Sequence, residues 1–166
     1  VTLTRASGDY GNAVLTRLPV LEVRRLDLGV AGREPRGALL LALRHGDRTL
    51  RISATHLGLR PGERRRQVRR LVRAITAWEE RAPAPALTAL LGDFNEWLPW
   101  GRPLRRLRRH YASLGAPATF PASRPLFALD RIWLGPGPVA ATLEAVRSPL
   151  TRTASDHLPL RARIPS

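Results

Sequence analysis

Hydrophobic positions along the chain fall into short runs broken by Gly, Pro and charged residues, with one longer stretch of helical period near the middle. Gly11-Asn12-Ala13-Val14-Leu15 reads as a short buried strand entered from a polar Gly-Asp-Tyr-Gly turn, and Leu18-Pro19 closes it before a second strand over 20–28. Three Gly and one Pro make 29–37 a loop. Strands over 38–44 and 48–56 then flank His45-Gly46-Asp47, which is a hairpin signal. From 62 to 81 the period changes, because Val68, Leu71, Val72, Ile75 and Trp78 recur at spacings of three and four and form one apolar stripe opposite an Arg-rich face. Pro83 and Pro85 end that helix. The continuous apolar run 87–91 stops at Gly92-Asp93-Phe94-Asn95, as a buried central strand would. Beyond it the pattern predicts a short basic helix over 99–110, an irregular Pro-rich loop over 112–125, and strands over 128–134, 140–147 and 158–164.

Composition narrows the reading. The 166 residues suit a single domain, and 43% hydrophobic content is enough to bury a core. With no Cys, a disulfide framework, a thiolate metal site and a cysteine nucleophile are all excluded. The formal charge of +15 comes entirely from Arg, since the chain has no Lys. Such a bias, beside abundant Ala, Pro and Leu, follows from GC-rich coding, so the charge alone does not select a nucleic-acid partner. No apolar run approaches the roughly 20 residues that cross a bilayer, and the first residues have no signal-peptide core, which makes the cytoplasm the expected location. A chain that starts at Val1 and contains no Met is expected to be either a trimmed piece or read from a start that is not the natural one, and a reading frame that begins further upstream fits Val1 best.

The candidate chemistry lies in the acidic residues. Three of the six Asp, namely Asp93, Asp130 and Asp156, border predicted buried strands, where a carboxylate is costly unless partnered. Any one of them alone reads more readily as a turn or N-cap residue than as a functional one. Together they belong to four polar clusters in order: Thr55-His56, Gly92-Asp93-Phe94-Asn95, Leu129-Asp130-Arg131-Ile132, and Ser155-Asp156-His157-Leu158-Pro159.

In order and separation these clusters resemble the signature of the endonuclease/exonuclease/phosphatase superfamily, over a match from about Tyr10 to Ile164. The resemblance implies an α/β (α+β) fold, the DNase I-like four-layer α/β/β/α sandwich, and a divalent-metal-dependent phosphodiesterase or phosphatase with Mg²⁺ or Mn²⁺ as cofactor. By the same resemblance Asp93 positions and activates the attacking water, and Asn95 holds the phosphate and the metal shell. Asp130 orients His157 at the scissile phosphate, Asp156 reaches the metal together with Asp93, and His56 contacts phosphate. Each role agrees with what phosphoester hydrolysis needs: an oriented water, charge at the equatorial oxygens, and a base whose pKa a buried strand end can raise. Asn12 and Arg17 stand where the family lines one side of the cleft, with a structural Asn and a surface Arg as the alternative. Glu96 is read as either a supporting residue or an exposed turn Glu. His45 and His110 have no motif around them and are assigned nothing.

The family pattern opens with an Asn-bearing strand and a Gln-Glu strand whose Glu ligates metal, and no Glu precedes Glu22 here. The chain is therefore expected to be about the C-terminal two-thirds of one family domain, weakened or inactive by itself, with an exposed strand edge and apolar surface. The expected partner is a phosphate-ester substrate, whether nucleic acid, phospholipid or nucleotide, bound by a monomer. Two other readings stay open. One is a non-catalytic Arg-rich nucleic-acid-binding fragment, and the other is a product with no stable fold.

Overall fold

The computed structural model describes residues 3–5, 8–81, 86–113, 115–135, 137 and 139–165. Its centre is a six-stranded mixed sheet with strand order β3-β4-β5-β6-β8-β7, formed by β3 (Val20–Asp27), β4 (Gly37–His45), β5 (Arg48–His56), β6 (Ala86–Asp93), β7 (Ala112–Ser113) and β8 (Asp130–Gly135). All neighbours are antiparallel except β5 and β6, which run parallel through the crossover helix α1 (Pro61–Glu80). A parallel pair needs such a crossover, and it brings the C-terminal ends of β5 and β6 side by side. Two two-stranded sheets accompany the large one: β1 (Leu3–Arg5) with β2 (Gly8–Tyr10), and β9 (Thr142–Ala145) with β10 (Leu160–Arg163).

The apolar stripe of α1 lies where its spacing puts it. Val68, Leu71, Val72, Ile75 and Trp78 are buried against Leu40, Leu90 and Trp133 of the sheet and against Leu104 and Leu107 of α2 (Arg102–Leu107). At the far end of the helix the Trp78 indole N–H donates to Glu22 at 2.9 Å, with the Arg51 guanidinium over its ring. At the near end Gln67 accepts from the Gly58 amide at 2.8 Å and donates to Glu63, tying the β5–α1 loop to the first turns. β3 forms one edge of the sheet, where Val20, Leu21 and Val23 are exposed.

Most predicted elements are present with shifts of a few residues, and three readings are corrected. Residues 11–15 form no strand, and Leu15 is 98% exposed. Without a pairing partner beside it an apolar pentapeptide has nothing to ladder with, and pairing falls instead on Gly8–Tyr10. The 99–110 helix is limited to α2, because Pro99 and Gly101 delay its start. Residues 148–154, left unassigned, contain α3 (Pro149–Ala154), which opens on a Ser148–Thr151 capping box. Pro83 and Pro85 lie outside the described residues.

Gly46 and Gly92 both take positive φ, at 63° and 137°, but for different reasons. Gly46 makes a two-residue turn, with His45 paired to Arg48 and open space where a Cβ would stand. At Gly92 a Cβ would fall 1.8 Å from the Thr55 carbonyl oxygen. Gly92→Ala is therefore expected to destabilise the protein by about 3 kcal/mol or more, and Gly46→Ala by only about 1 kcal/mol. Chemical denaturation of the two variants measures the difference, and equal losses would disprove the close-approach account.

Candidate active site

Strand register brings the predicted residues together. His56, the last residue of β5, stands opposite Asp93 at the end of β6, and Asp93 stands opposite Asp130 at the start of β8. Three chemically useful side chains thus form one row across the sheet end. His157 joins them from the segment after α3, which is held by the Ala122 amide on the Asp156 carbonyl at 2.7 Å and the Leu158 amide on the Thr119 carbonyl at 2.8 Å. These groups face a cleft of about 590 Å³.

Within the cleft Asp93 is the common partner. Its Oδ1 accepts the Asn95 backbone N–H at 2.7 Å, while its Oδ2 lies 3.4 Å from His56 Nε2 and 4.0 Å from His157 Nε2. His157 Nδ1–H donates to Asp130 Oδ2 at 2.7 Å, which leaves Nε2 directed at the cleft. The Tyr10 hydroxyl lies 2.9 Å from His56 Nδ1, so a proton donated there directs His56 Nε2–H toward Asp93. Asn95 holds a left-handed backbone, φ 49°, which Asn tolerates better than most residues, and its side-chain amide donates to the Leu57 carbonyl at 2.8 Å. That bond and the Leu57 amide on the Asp93 carbonyl at 2.9 Å lock the ends of β5 and β6 together.

The electrostatics follow from this packing. Burial pushes the Asp93 carboxyl above its usual range and Asp130 adds to the shift, while the Asn95 N–H and the imidazoles oppose it. Burial pulls His56 below the usual histidine range, against the opposing effect of Asp93. For His157 burial also acts downward, but the hydrogen bond and charge of Asp130, helped by Asp93 and Asp156, outweigh it, and the imidazole is raised.

Residues 3–157 match the Endonuclease/Exonuclease/phosphatase family. The chain belongs to this family. The uncharacterized protein YbhP of Escherichia coli strain K12 is 32% identical over 165 residues, which is 95% of this chain and 63% of YbhP. The chain thus spans less than two-thirds of the length of this curated relative. Among solved structures, the endonuclease/exonuclease/phosphatase of Bacteroides vulgatus superposes with a TM-score of 0.72 at 16% identity, over 89% of this chain and 66% of that one. The mannosyl-6-phosphatase Bt3783 of Bacteroides thetaiotaomicron gives a TM-score of 0.67 at 16% identity, over 90% and 67%. The fold is α+β and DNase I-like.

The family residues do not all converge. Asp93, Asn95, Asp130, His157 and His56 line one cleft. Asp156 is exposed on the same cleft and its Oδ1 lies 3.4 Å from the Ser155 hydroxyl, but the cluster with metal-binding spacing is Asp93, Asp130 and His157, with donor atoms within 4.8 Å of one another. Asn12 is not among the residues lining this cleft; its amide donates to the Gly37 carbonyl at 2.9 Å, which ties the chain to the start of β4. Arg17, His45 and His110 are exposed away from the cleft lining. Glu96 is neither exposed nor in the cleft. It is buried and paired with buried Arg64 at 3.3 Å, fixing the segment after Asn95 to the first turn of α1. The lining also holds residues to which the sequence assigns no role, among them Tyr10, Arg36, Trp97 and Phe120, and of these Tyr10 and Arg36 bring polar groups to His56. Neither belongs to a local motif, and only the registers of β4 and β5 place Arg36 beside His56.

The Asp130–His157 pair has a sign that can be checked. Because folded His157 titrates above the free imidazole, the stability it contributes is fully present below the unfolded pKa and is lost as pH rises through the folded one. Asp130→Asn removes the main upward influences, so the His157 titration should move down in imidazole-selective NMR. An unchanged titration would overturn the pairing.

Proposed function

We propose that this chain carries the phosphate-binding and proton-transfer half of a divalent-metal-dependent phosphoesterase active site. The observation that carries the reading is the Asp93 carboxylate, set between two imidazoles at the end of a buried strand, with one imidazole fixed by its own aspartate. The donor set suits a hard cation, since Asp93 and Asp156 offer carboxylate oxygens to one cleft and burial beside Asp130 leaves Asp93 in need of positive charge. Asp93, within the Asp93–Asp130–His157 cluster, would hold the ion, with Asp156 contributing from the exposed rim of the same cleft, and the ion when bound would supply positive charge at the phosphate oxygens and lower the pKa of water.

The chain's own groups do the rest. Asp93 orients the attacking water and accepts its proton. Asn95 holds Asp93 in place through its backbone N–H. His157, positioned by Asp130, presents Nε2 to a non-bridging oxygen as negative charge develops there. His56 donates from the other side of the same carboxylate. Trp97 and Phe120, whose rings meet at 5.8 Å, form an apolar wall beside His157 that excludes water from one side of the reacting group.

Hydrolysis of bis-p-nitrophenyl phosphate is expected to require Mg²⁺ or Mn²⁺, to stop with EDTA, and to fall about a hundredfold or more in Asp93→Ala and His157→Ala. The assay uses the chain and the same chain extended by any coding sequence that continues upstream in frame. If neither shows metal-dependent turnover that the substitutions abolish, the reading fails.

A second observation favours binding of a phosphate backbone without catalysis. A groove of about 640 Å³ between α1 and α2 is lined by Arg65, Arg69, Arg102, Arg105, Arg106 and Arg109, and none of these pairs with a carboxylate among the described residues. Such binding should persist in EDTA, and its affinity should fall steeply with salt. Retention of single-stranded DNA in EDTA that is insensitive to salt, or no retention, argues against this reading.

A further inference from the structure

The turns that lead into α1 and α2 both present apolar side chains to solvent. Leu59, two residues before α1, is 66% exposed, and Leu98 and Trp100, just before α2, are 49% and 67% exposed. Arg64 holds the two turns together: it donates to the Leu59 carbonyl and pairs with Glu96 at 3.3 Å, and Glu96 accepts the Leu98 amide at 3.3 Å. Their backbones are thus anchored while their apolar side chains are not packed away. This edge borders two concavities. Leu59 and Trp97 line the cleft, while Gly62, three residues after Leu59, and Arg102, two after Trp100, line the groove between α1 and α2.

Each feature constrains the ligand. In the groove Arg65 and Arg69 stand one turn apart on α1, and Arg102, Arg105 and Arg109 recur at spacings of three and four on and just beyond α2. Like charges so placed repel one another, and none of these guanidiniums pairs with a carboxylate among the described residues. Such a surface attracts a polyanion, whether a nucleic-acid backbone or a layer of anionic lipid headgroups. The apolar edge separates the two. A phosphate backbone gains little from exposed leucines, whereas a bilayer interface takes Leu into its acyl boundary, seats Trp at headgroup level and draws Arg to the lipid phosphates. No helix among the described residues is long and apolar enough to cross a bilayer, so the contact is with the bilayer surface.

We propose that this edge docks the protein on an anionic phospholipid bilayer, with Leu59, Leu98 and Trp100 entering the interface and the arginines of the α1–α2 groove facing the headgroup phosphates. Docking itself does not depend on the phosphoesterase reading. Its consequence does: because Leu59 belongs to the cleft lining as well, the cleft opens beside the bilayer, and the phosphate ester it hydrolyses is one presented at a membrane.

Co-sedimentation with vesicles tests docking without turnover and so separately from the phosphoesterase reading. The chain should bind vesicles of phosphatidylcholine mixed with phosphatidylglycerol about tenfold or more tightly than vesicles of phosphatidylcholine alone. Leu98→Ser combined with Trp100→Ser removes apolar surface at unchanged charge, and should weaken binding to the anionic vesicles about tenfold or more. Arg105→Glu combined with Arg109→Glu should do the same and flatten the dependence on salt. All four side chains are exposed, so thermal melts of both variants should match wild type. The proposal is overturned if wild type does not bind the anionic vesicles, or if either double variant binds them as wild type does. Unchanged vesicle binding by the Leu98→Ser, Trp100→Ser variant, together with retention of single-stranded DNA by wild type that the arginine reversals abolish, assigns the groove to nucleic acid instead. Should a variant fold poorly, wild type decides: tryptophan fluorescence that bromine on the lipid acyl chains leaves unquenched also overturns docking.

Discussion

The site depends on how closely β5 and β6 approach at their C-terminal ends. Thr55 and Gly92 face each other in register, and the missing Cβ of Gly92 is what lets the Thr55 carbonyl occupy that space. One residue further on, the same register sets His56 against Asp93. Two hydrogen bonds through Leu57, one from its amide and one to its carbonyl, then fasten the strand ends. A side chain at position 92 would separate the strands where the imidazole and carboxylate must meet. The glycine of Gly-Asp-Phe-Asn is thus structural, and the aspartate beside it gains its geometry from it.

From that constraint the electrostatics follow in sequence. Asp93 is fixed at a buried strand end, so its carboxylate is short of solvent and its pKa rises. The neighbouring strand adds Asp130, which raises Asp93 further while its hydrogen bond holds His157. The two imidazoles then shift in opposite directions, His56 downward because burial dominates and His157 upward because Asp130 does. Two histidines that share a carboxylate but differ in charge preference near neutral pH are suited to different tasks, one more readily neutral and one more readily cationic.

The sequence disclosed this arrangement unevenly. The helical stripe through Val68, Leu71 and Ile75 and the apolar run ending at Gly92 were legible because burial imposes a period on one and a continuous block on the other. Asp93, Asp130 and His157 were legible because their neighbours form motifs. Arg36 and Tyr10 were not, since their placement comes from long-range pairing and from a loop with no signature of its own. Glu96 stays open between a supporting residue and an exposed turn residue in the sequence because its partner, Arg64, is thirty-two positions away on a helix face that reads as solvated. The segment at 11–15 misled for the opposite reason: local pattern suggested a strand where no strand pairs with it among the described residues.

The buried Arg64–Glu96 pair clarifies which parts of the cleft are held firmly. A buried ion pair gains little over apolar packing, yet losing one partner leaves an unmatched charge that typically costs about 3–5 kcal/mol. This pair joins the segment just after Asn95 to the first turn of α1, and Glu96 also accepts the Leu98 amide at 3.3 Å. A Cβ at Gly101 would stand 2.4 Å from the Glu96 carboxyl carbon, so the turn folds back tightly over the same side chain. Asp93 and Asn95 therefore sit between a strand register on one side and an ion pair on the other. Within that turn the Trp100 and Leu98 side chains are exposed, at 67% and 49%, while the Leu98 carbonyl accepts the Gly101 amide at 2.9 Å. The geometry around Asp93 is thus set by the sheet and the helix, and the exposed apolar side chains of this turn take no part in fixing it.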